Sequence, residues 1–232
     1  MKSFKKYLPL LLLVALGISA WILGIHRYLS LDSLKEHQQM LELYIENHPM
    51  LSVFIYSSLY ILVVSLSLPV ATFMTLAGGF LFGQWIGTSV GVISATLGAC
   101  IFFLSAKMAS KDILTKKAGS WLQKMRREFQ KNAFFYLLTL RLIPLFPFVA
   151  VNIVAAVLQI PFRTFFFGTF LGIIPGVFVY VSMGVALREV ILRSDYQLNL
   201  LLETKILIAL IGLGILSLSP VLYKHWQQSR SK

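Results

Sequence analysis

The chain has 232 residues, of which 57% are hydrophobic and only 13% are charged, and its formal net charge at pH 7 is +12. A soluble domain needs a larger share of polar surface than this composition provides. The basic residues lie in loops and at the chain ends, as in membrane topology, and no basic groove with interleaved aromatic residues indicates nucleic-acid binding. We therefore expect an integral membrane domain with short extensions and no nucleic-acid partner.

Residues 1–48 are expected to form the first membrane helix and a surface helix. The apolar run from Tyr7 to Ile25 is longer than the hydrophobic part of a signal peptide and has a poor cleavage site near its end. We interpret it as a retained span over 7–26. The polar segment 27–48 carries Leu and Met at helical spacing, which predicts a helix on the external surface.

The core, over 49–187, begins with an apolar run that is too long for a single span. It is interrupted by Pro69 and by three glycines, Gly78, Gly79 and Gly83. The piece 70–82 is too short to cross a bilayer at about 1.5 Å per residue. The pattern predicts a re-entrant hairpin over 50–83, followed by a full span over 85–106.

The segment 107–131 carries eight Lys or Arg residues and two acidic residues. Its apolar residues recur at helical spacing, which is typical of a basic amphipathic helix on a lipid surface; a soluble partner-binding helix is the alternative. The residues predicted to lie at the lipid surface are Lys116, Lys117, Trp121, Lys124, Arg126 and Arg127.

The second half of the core repeats the pattern of the first. A hairpin predicted over 133–160 is broken by Pro144 and Pro147, and a full span over 162–186 follows. Residues 188–232 are expected to hold an external loop, a last span over 205–223 and a basic cytoplasmic tail. Broken helices at matching places in two halves point to a transporter-like cavity where the hairpin tips meet, whereas the alternative is that they only bend helices for packing.

Both long spans of the core contain a G-x-x-x-G string. This small-residue spacing lets helices approach closely, either within one chain or in a homo-oligomer. The residues predicted to pack the hairpins and helices are Gly78, Gly79, Gly83, Gly87, Gly91, Gly168, Gly172, Pro175 and Gly176.

With two re-entrant hairpins the chain crosses the bilayer four times, and its loops then sort by charge. One side carries fourteen Lys and Arg residues and two acidic residues. The other side carries five Lys and Arg residues and seven acidic residues. The Lys and Arg excess belongs in the cytoplasm, which places both termini there and makes the hairpins enter from opposite faces as an inverted repeat. A six-span arrangement, in which both short-armed regions cross fully, keeps the same loops on the same sides and stays open.

Arg141 is the main candidate for function, because a permanent charge at membrane depth is costly unless it is paired or hydrated. Its guanidinium would bind a phosphate of a lipid headgroup; alternatively, it snorkels to an interface or caps the carbonyls of a broken helix. Asn152 would hydrogen-bond across the hairpins, while Pro69, Pro144 and Pro147 would shape a protein-lined cavity.

The membrane segments are poor in the groups that enzymes use. No Asp, Glu or His lies within them, and His26, at the end of the first span, is the nearest. Proton-relay carboxylates, paired acids and metal-ligand clusters are therefore missing. Cys100 is the only cysteine, which excludes an intramolecular disulfide and a cysteine-based metal site. We expect no enzymatic activity, no metal and no cofactor.

A family resemblance rests on three stretches of the sequence. These are Leu140-Arg141-Leu142-Ile143-Pro144-Leu145-Phe146-Pro147-Phe148 with Asn152 after it, Phe165 to Gly168 with Leu171-Gly172-Ile173-Ile174-Pro175-Gly176, and Leu68-Pro69 with the run from Gly78 to Gly83. Together they resemble the DedA-like superfamily, also called the VTT-domain or SNARE-associated family, over about residues 60–187. The resemblance implies an inverted repeat with two re-entrant hairpins and the translocation of phospholipids or polyprenyl-phosphate carriers.

The family's R-x-x-P arginine corresponds to Arg141 and its prolines to Pro144 and Pro147. The DedA branch has intramembrane acids near the first hairpin and a second arginine, whereas here Ala71 and Thr72 follow Leu68-Pro69 and no arginine follows Pro147 before Arg163. The chain therefore resembles the branch typified by the Golgi vesicle protein of yeast and its bacterial relatives.

These observations predict a lipid transporter of scramblase or flippase type in a bacterial plasma (inner) membrane, with membrane lipids as its partners. One alternative is a carrier for a small ion or solute in the same cavity. A second alternative is a non-transporting membrane organiser that uses its basic amphipathic helix.

Overall fold

The computed structural model describes residues 4–24, 31–116, 129–130, 132–142 and 146–192. Every regular element within these ranges is a helix, which confirms the predicted all-α class. The helices are α1 (Phe4–Ile22), α2 (Leu31–Glu36), α3 (Gln38–Asn47), α4 (Pro49–Ser65), α5 (Ala71–Lys116), α6 (Ala133–Leu142), α7 (Phe148–Val157) and α8 (Phe162–Leu192). The predicted span over 205–223 and most of the basic segment 107–131 lie outside the described residues.

The outer surface of the bundle is apolar, and much of its interior is built from small or polar residues. Large side chains of several helices point outward, among them Leu12, Phe54, Leu62, Trp85, Ile101, Phe167 and Leu171. The buried positions include Ser94, Ala95, Thr96, Ala99, Ala155 and Ala156. In the described ranges two helices, Ala71–Ser110 and Phe162–Glu189, are long and apolar enough to cross a membrane. An apolar surface this extensive is the surface of a membrane protein.

Helix α5 is broken at Gly83, where φ is +75° and ψ is −175°. A side chain would strain this backbone conformation, so glycine is the residue that permits the break. The break leaves a short segment over 71–82 and a long one over 84–116. The long segment continues beyond the predicted end of the span at 106, and its residues Ala109 and Ser110 are buried.

The two predicted hairpins are antiparallel helix pairs. In the first, the Tyr56 hydroxyl of α4 donates to the carbonyl oxygen of Met74 on the short segment of α5. In the second, Gln130 Nε2, three residues before α6, donates to the carbonyl oxygens of Leu158 and Gln159 after α7, at 3.2 and 3.3 Å. The α6–α7 pair therefore starts and finishes at the same end of the bundle. Ten residues in each arm span about 15 Å, roughly half of a hydrocarbon core of about 30 Å.

The base of the second hairpin is fastened to the long segment of α5. Gln159, at φ +56°, donates through Nε2 to the carbonyl oxygen of Lys107 at 3.0 Å and to Ser110 Oγ at 3.1 Å. Lys107 Nζ in turn donates to the carbonyl oxygen of Ile160. A cation near the C-terminal carbonyls of α7 complements the dipole of that helix. On the surface, Arg188 pairs with Glu42 at 3.0 Å and ties α3 to α8.

Helix α8 holds both hairpins through glycines at which the helices approach closely. A Cβ atom on Gly184 would lie 2.0 Å from the Leu76 carbonyl oxygen, and one on Gly79 would lie 2.1 Å from that of Val181. On the other hairpin, a Cβ on Gly168 would meet Leu137 at 2.9 Å, and one on Gly172 would meet Arg141 Cβ at 2.6 Å. These contacts bring α8 against the short segment of α5 and against α6.

The other residues predicted to pack helices differ in how closely they contact a neighbouring helix. Gly78 and Gly87 face each other across the break at Gly83, and Gly91 lies against Val177. Pro175 lies inside α8, and a Cβ added to Gly176 would have no heavy atom within 4 Å.

Replacing Gly184 with alanine is expected to lower the free energy of unfolding by about 1–3 kcal/mol, because the added methyl would clash with a backbone carbonyl that cannot move independently. The matched control is Gly176→Ala on the same helix, where the structure has room for the methyl. The thermal unfolding midpoint of each variant in detergent, followed by tryptophan fluorescence, checks the difference. Equal midpoints for the two variants would contradict the close packing of α5 against α8.

Candidate functional site

Arg141 occupies the last turn of α6, next to the break between the two arms of the second hairpin. The helix ends at Leu142 because Pro144 disfavours helical backbone in the residue before it and cannot continue the ladder. A cation in the last turn is also favoured by the helix dipole. The absence of a side chain at Gly172 lets the stem of Arg141 pass against α8.

The Arg141 guanidinium is held entirely by neutral groups among the described residues. Nη1 donates to the carbonyl oxygen of Phe148 at 3.3 Å, and Nη2 donates to Asn152 Oδ1 at 2.5 Å and to Thr169 Oγ1 at 3.2 Å. The guanidinium carbon lies 4.2 Å from the centre of the Phe148 ring and 5.8 Å from that of Phe165. No acidic side chain in the described ranges pairs with Arg141, so its positive charge is not neutralised there.

Two buried donors, one in this guanidinium and one on its neighbour Asn152, have no hydrogen-bond partner within the described part of the chain. They are Nε of Arg141 and Nδ2 of Asn152, whose side chain is 0% exposed. A buried N–H group without an acceptor is destabilising, more so when it carries charge. An uncompensated cation beside two spare donors is a site for an anion or another strong acceptor.

A cavity of about 290 Å³ lies beside Arg141, at the place where the tips of the two hairpins meet. The first hairpin contributes Ala71, Thr72 and Thr75, and the second contributes Arg141, Phe146, Pro147 and Phe148. Ile173, Gly176, Val177 and Tyr180 of α8 complete the wall together with residues of α4 and α5, including Tyr60. Most of the lining is apolar.

Two helices begin at this cavity, one from each hairpin. The first backbone N–H groups of α7 and of the short segment of α5 have no acceptor inside their own helix, since the first intrahelical bonds are made by Val151 and Met74. Helix N-termini carry partial positive charge and favour anions. The C-terminus of α4 is capped by backbone bonds from Ser67 and Leu68 to Val64 and Val63. The two N-termini therefore add partial positive charge at the cavity, while the C-terminus of α6, which also ends there, places partial negative charge beside Arg141.

The structure brings together three of the residues predicted to bind substrate. Arg141 and Pro147 line the cavity, and Asn152 lies behind Arg141 as its hydrogen-bond partner. Pro69 is exposed in the turn between α4 and α5 and does not line the cavity. Pro144 lies outside the described residues. So do the predicted lipid-surface residues from Lys117 to Arg127, and Lys116 is placed only as the last residue of α5.

Several residues of the site were given no role by the sequence analysis, although Phe148 and Phe165 lie in the motif stretches quoted there. Thr169 is fully buried and accepts from Arg141, while Phe148 and Phe165 lie against the guanidinium. Tyr60 reaches the cavity from α4. Thr169 does fall inside the G-x-x-x-G string of α8, so a polar residue between two packing glycines was the available signal.

Broken apolar helices, an apolar outer surface and a buried cation between two hairpin tips define a helical membrane protein with an internal polar site. The VTT domain family matches residues 68–186 of the chain. The chain therefore belongs to the VTT domain family, which confirms the resemblance seen in its motifs. That resemblance had also suggested the branch of the yeast Golgi vesicle protein, which stays a prediction.

Several curated proteins are similar to this chain. An uncharacterized membrane protein of Arabidopsis thaliana is 32% identical over 176 residues, which cover 73% of this chain and 58% of that protein. The Transmembrane protein 41 homolog of Caenorhabditis elegans is 27% identical over 198 residues, which cover 84% of this chain and 78% of that protein. Human Transmembrane protein 41B is 25% identical over 173 residues, which cover 73% of this chain and 57% of that protein. The chain thus spans less than two thirds of the plant and human relatives. No solved structure matches it.

Proposed function

We propose that this protein translocates lipids, with the anionic headgroup passing through the cavity between the hairpin tips. The observation that carries the proposal is Arg141, a cation with a spare buried donor and no acidic partner in the described part of the chain. Its charge, its spare Nε donor and two helix N-termini all favour a phosphate-like anion in the cavity. The activity is translocation of scramblase or flippase type, and the chain carries out no covalent chemistry.

The rim of the cavity favours a lipid over a small solute. Phe146 is 46% exposed and Tyr180 is 41% exposed, so the cavity is bordered by aromatic side chains on the outer surface of the bundle. A headgroup bound at Arg141 would leave its acyl chains in the hydrocarbon outside this rim. A small soluble ion gains nothing from an apolar opening, which is why the solute carrier is the weaker alternative.

The proposal includes the arrangement in the bilayer. The short arms of the second hairpin, which return to the same end of the bundle, support re-entrant hairpins and four spans. The asymmetry of Lys and Arg supports cytoplasmic termini in a bacterial plasma membrane. The basic residues from Lys116 to Arg127 would contact anionic lipid at that face. The G-x-x-x-G glycines of both long helices pack within the chain, so a homo-oligomer would use another surface.

The test uses the purified full chain in liposomes that contain a trace of fluorescent phospholipid. Dithionite added outside quenches only the labelled lipid that reaches the outer leaflet. We expect the protein to raise the quenched fraction well above the share measured in protein-free liposomes. A water-soluble fluorophore enclosed in parallel liposomes controls for entry of dithionite.

The same liposomes distinguish a lipid pathway from a solute carrier. Uptake of radiolabelled glycerol phosphate, which has the anionic group without the acyl chains, is expected to match that of protein-free liposomes. Uptake without any lipid translocation would overturn the lipid pathway in favour of a solute carrier. Neither activity, in protein that is folded by its thermal unfolding, would favour a membrane organiser.

A further inference from the structure

A second polar group faces the same cavity from the first hairpin. Tyr60 of α4 lines the cavity, and its hydroxyl lies 2.6 Å from Thr75 Oγ1 on the short segment of α5. Thr75 also lines the cavity, and its hydroxyl donates to the carbonyl oxygen of Ala71 at 3.1 Å. Tyr60 is 2% exposed, so this pair is buried as a hydroxyl chain rather than hydrated at the surface.

The direction of the two hydrogen bonds that link Tyr60, Thr75 and Ala71 follows from counting the protons of the hydroxyl groups. A hydroxyl has one proton to donate and lone pairs with which to accept. Thr75 uses its proton on Ala71, so Tyr60 must be the donor in the contact with Thr75. The proton of the Tyr60 hydroxyl is then used in the bond to Thr75. Toward the cavity, the phenol oxygen can act only as a hydrogen-bond acceptor, through a lone pair. Arg141 presents donors to the cavity, whereas Tyr60 presents an acceptor.

We propose that the Tyr60–Thr75 pair selects among headgroups, favouring those that carry an N–H or O–H donor beyond the phosphate. This inference rests on the proposed lipid pathway and adds its specificity. The phosphate would lie at Arg141, and an ammonium N–H or a glycerol hydroxyl a few bonds away would donate to the Tyr60 oxygen. A choline headgroup has a phosphate but no such donor, so it would leave the buried acceptor without a partner.

The experiment compares three lipids that carry the same fluorophore on an acyl chain: phosphatidylethanolamine, phosphatidylglycerol and phosphatidylcholine. In liposomes of otherwise identical composition, we expect the first two to cross about three- to tenfold faster than the third, as one buried hydrogen bond allows. The ethanolamine lipid tests an ammonium N–H as the donor to Tyr60, and the glycerol lipid tests a hydroxyl O–H.

Two matched variants show whether Tyr60 is responsible. Tyr60→Phe keeps the ring but removes the acceptor, and Tyr60→Phe with Thr75→Val also removes the hydroxyl behind it. Both are expected to reduce the preference severalfold, toward equal rates for the three lipids. Tyr56→Phe makes the same change one turn away, at a hydroxyl that donates to Met74 and lies outside the cavity lining, and should keep the preference.

The possible outcomes separate the two proposals. If no lipid crosses with the wild type, the proposed function fails and this inference fails with it. If all three lipids cross at equal rates, only the selection by Tyr60 is overturned. Faster crossing of the choline lipid would also overturn it, and would indicate cation–π binding by rim aromatics such as Tyr180. A uniform loss of rate in Tyr60→Phe would assign the hydroxyl a structural role only.

Discussion

Replacing Arg141 with alanine is expected to reduce lipid translocation to the level of protein-free liposomes. The side chain supplies the cationic charge in the described lining of the cavity, and a charge-assisted hydrogen bond to phosphate contributes about 1.5–3 kcal/mol. Its loss corresponds to a decrease of at least about tenfold in rate. Arg141→Lys keeps the charge but loses the planar fork that Phe148, Asn152 and Thr169 hold, and should retain part of the activity.

The matched control is Arg163→Ala, which removes a second arginine that is exposed at the start of α8. It changes the net charge by the same amount and should translocate lipid at the wild-type rate. Wild-type activity in Arg141→Ala would exclude a role for this cation in transport. Because Arg141 also joins α6 to α7 and α8, the thermal unfolding midpoint of each variant must be measured beside its rate.

Replacing Asn152 with aspartate is expected to abolish translocation without unfolding the protein. The change keeps the size of the side chain and the oxygen that accepts from Arg141 Nη2, but it adds a negative charge at hydrogen-bond distance from the guanidinium. The resulting internal ion pair would occupy the charge that an incoming phosphate needs and would repel that phosphate. We expect a decrease of about tenfold or more in the dithionite assay.

This variant separates a functional arginine from a structural one. If Arg141 only fastens the second hairpin, a stronger partner at position 152 should be harmless, and full activity would be measured. The thermal unfolding midpoint is expected to stay at or above the wild-type value. Asn132→Asp, on an exposed residue just before α6, makes the same substitution outside the site and should be without effect.

The breaks in the helices were largely predictable, because they depend on local backbone chemistry. Gly83 ends the short segment of α5 as expected, and α7 and α8 begin directly after Pro147 and Pro161. The continuation of α5 past residue 106 was not predictable. It depends on burial of Ser110 against the second hairpin, where its hydroxyl donates to the carbonyl oxygen of Ala156. Hydrophobic periodicity predicts which face of a helix is buried, but it does not predict which distant segment packs against that face.

The site shows the same division between local and long-range information. Arg141 was recognisable because a charge in an apolar run is costly, and its side chain does lie beside a cavity between the hairpin tips. Tyr60 was not recognisable, because a single hydroxyl in an apolar helix has no spacing that reveals its partner. Thr169 had one signal, its place between the two packing glycines Gly168 and Gly172. Pro69 was grouped with the site by its motif, although the cavity is lined by the residues that follow it. Membrane orientation and substrate remain predictions.

Helix α8 is a common spine for the two hairpins, and this has a mechanical consequence. The second hairpin is docked at Gly168 and Gly172, the first is docked at Gly184, and Pro175 lies between these points. Proline lacks the N–H that would bind the carbonyl oxygen of Leu171, so the spine is softest there. The cavity lies against this weak point, at Ile173, Gly176 and Val177. Flexing the spine would swing the hairpins as two lever arms and change the gap between their tips.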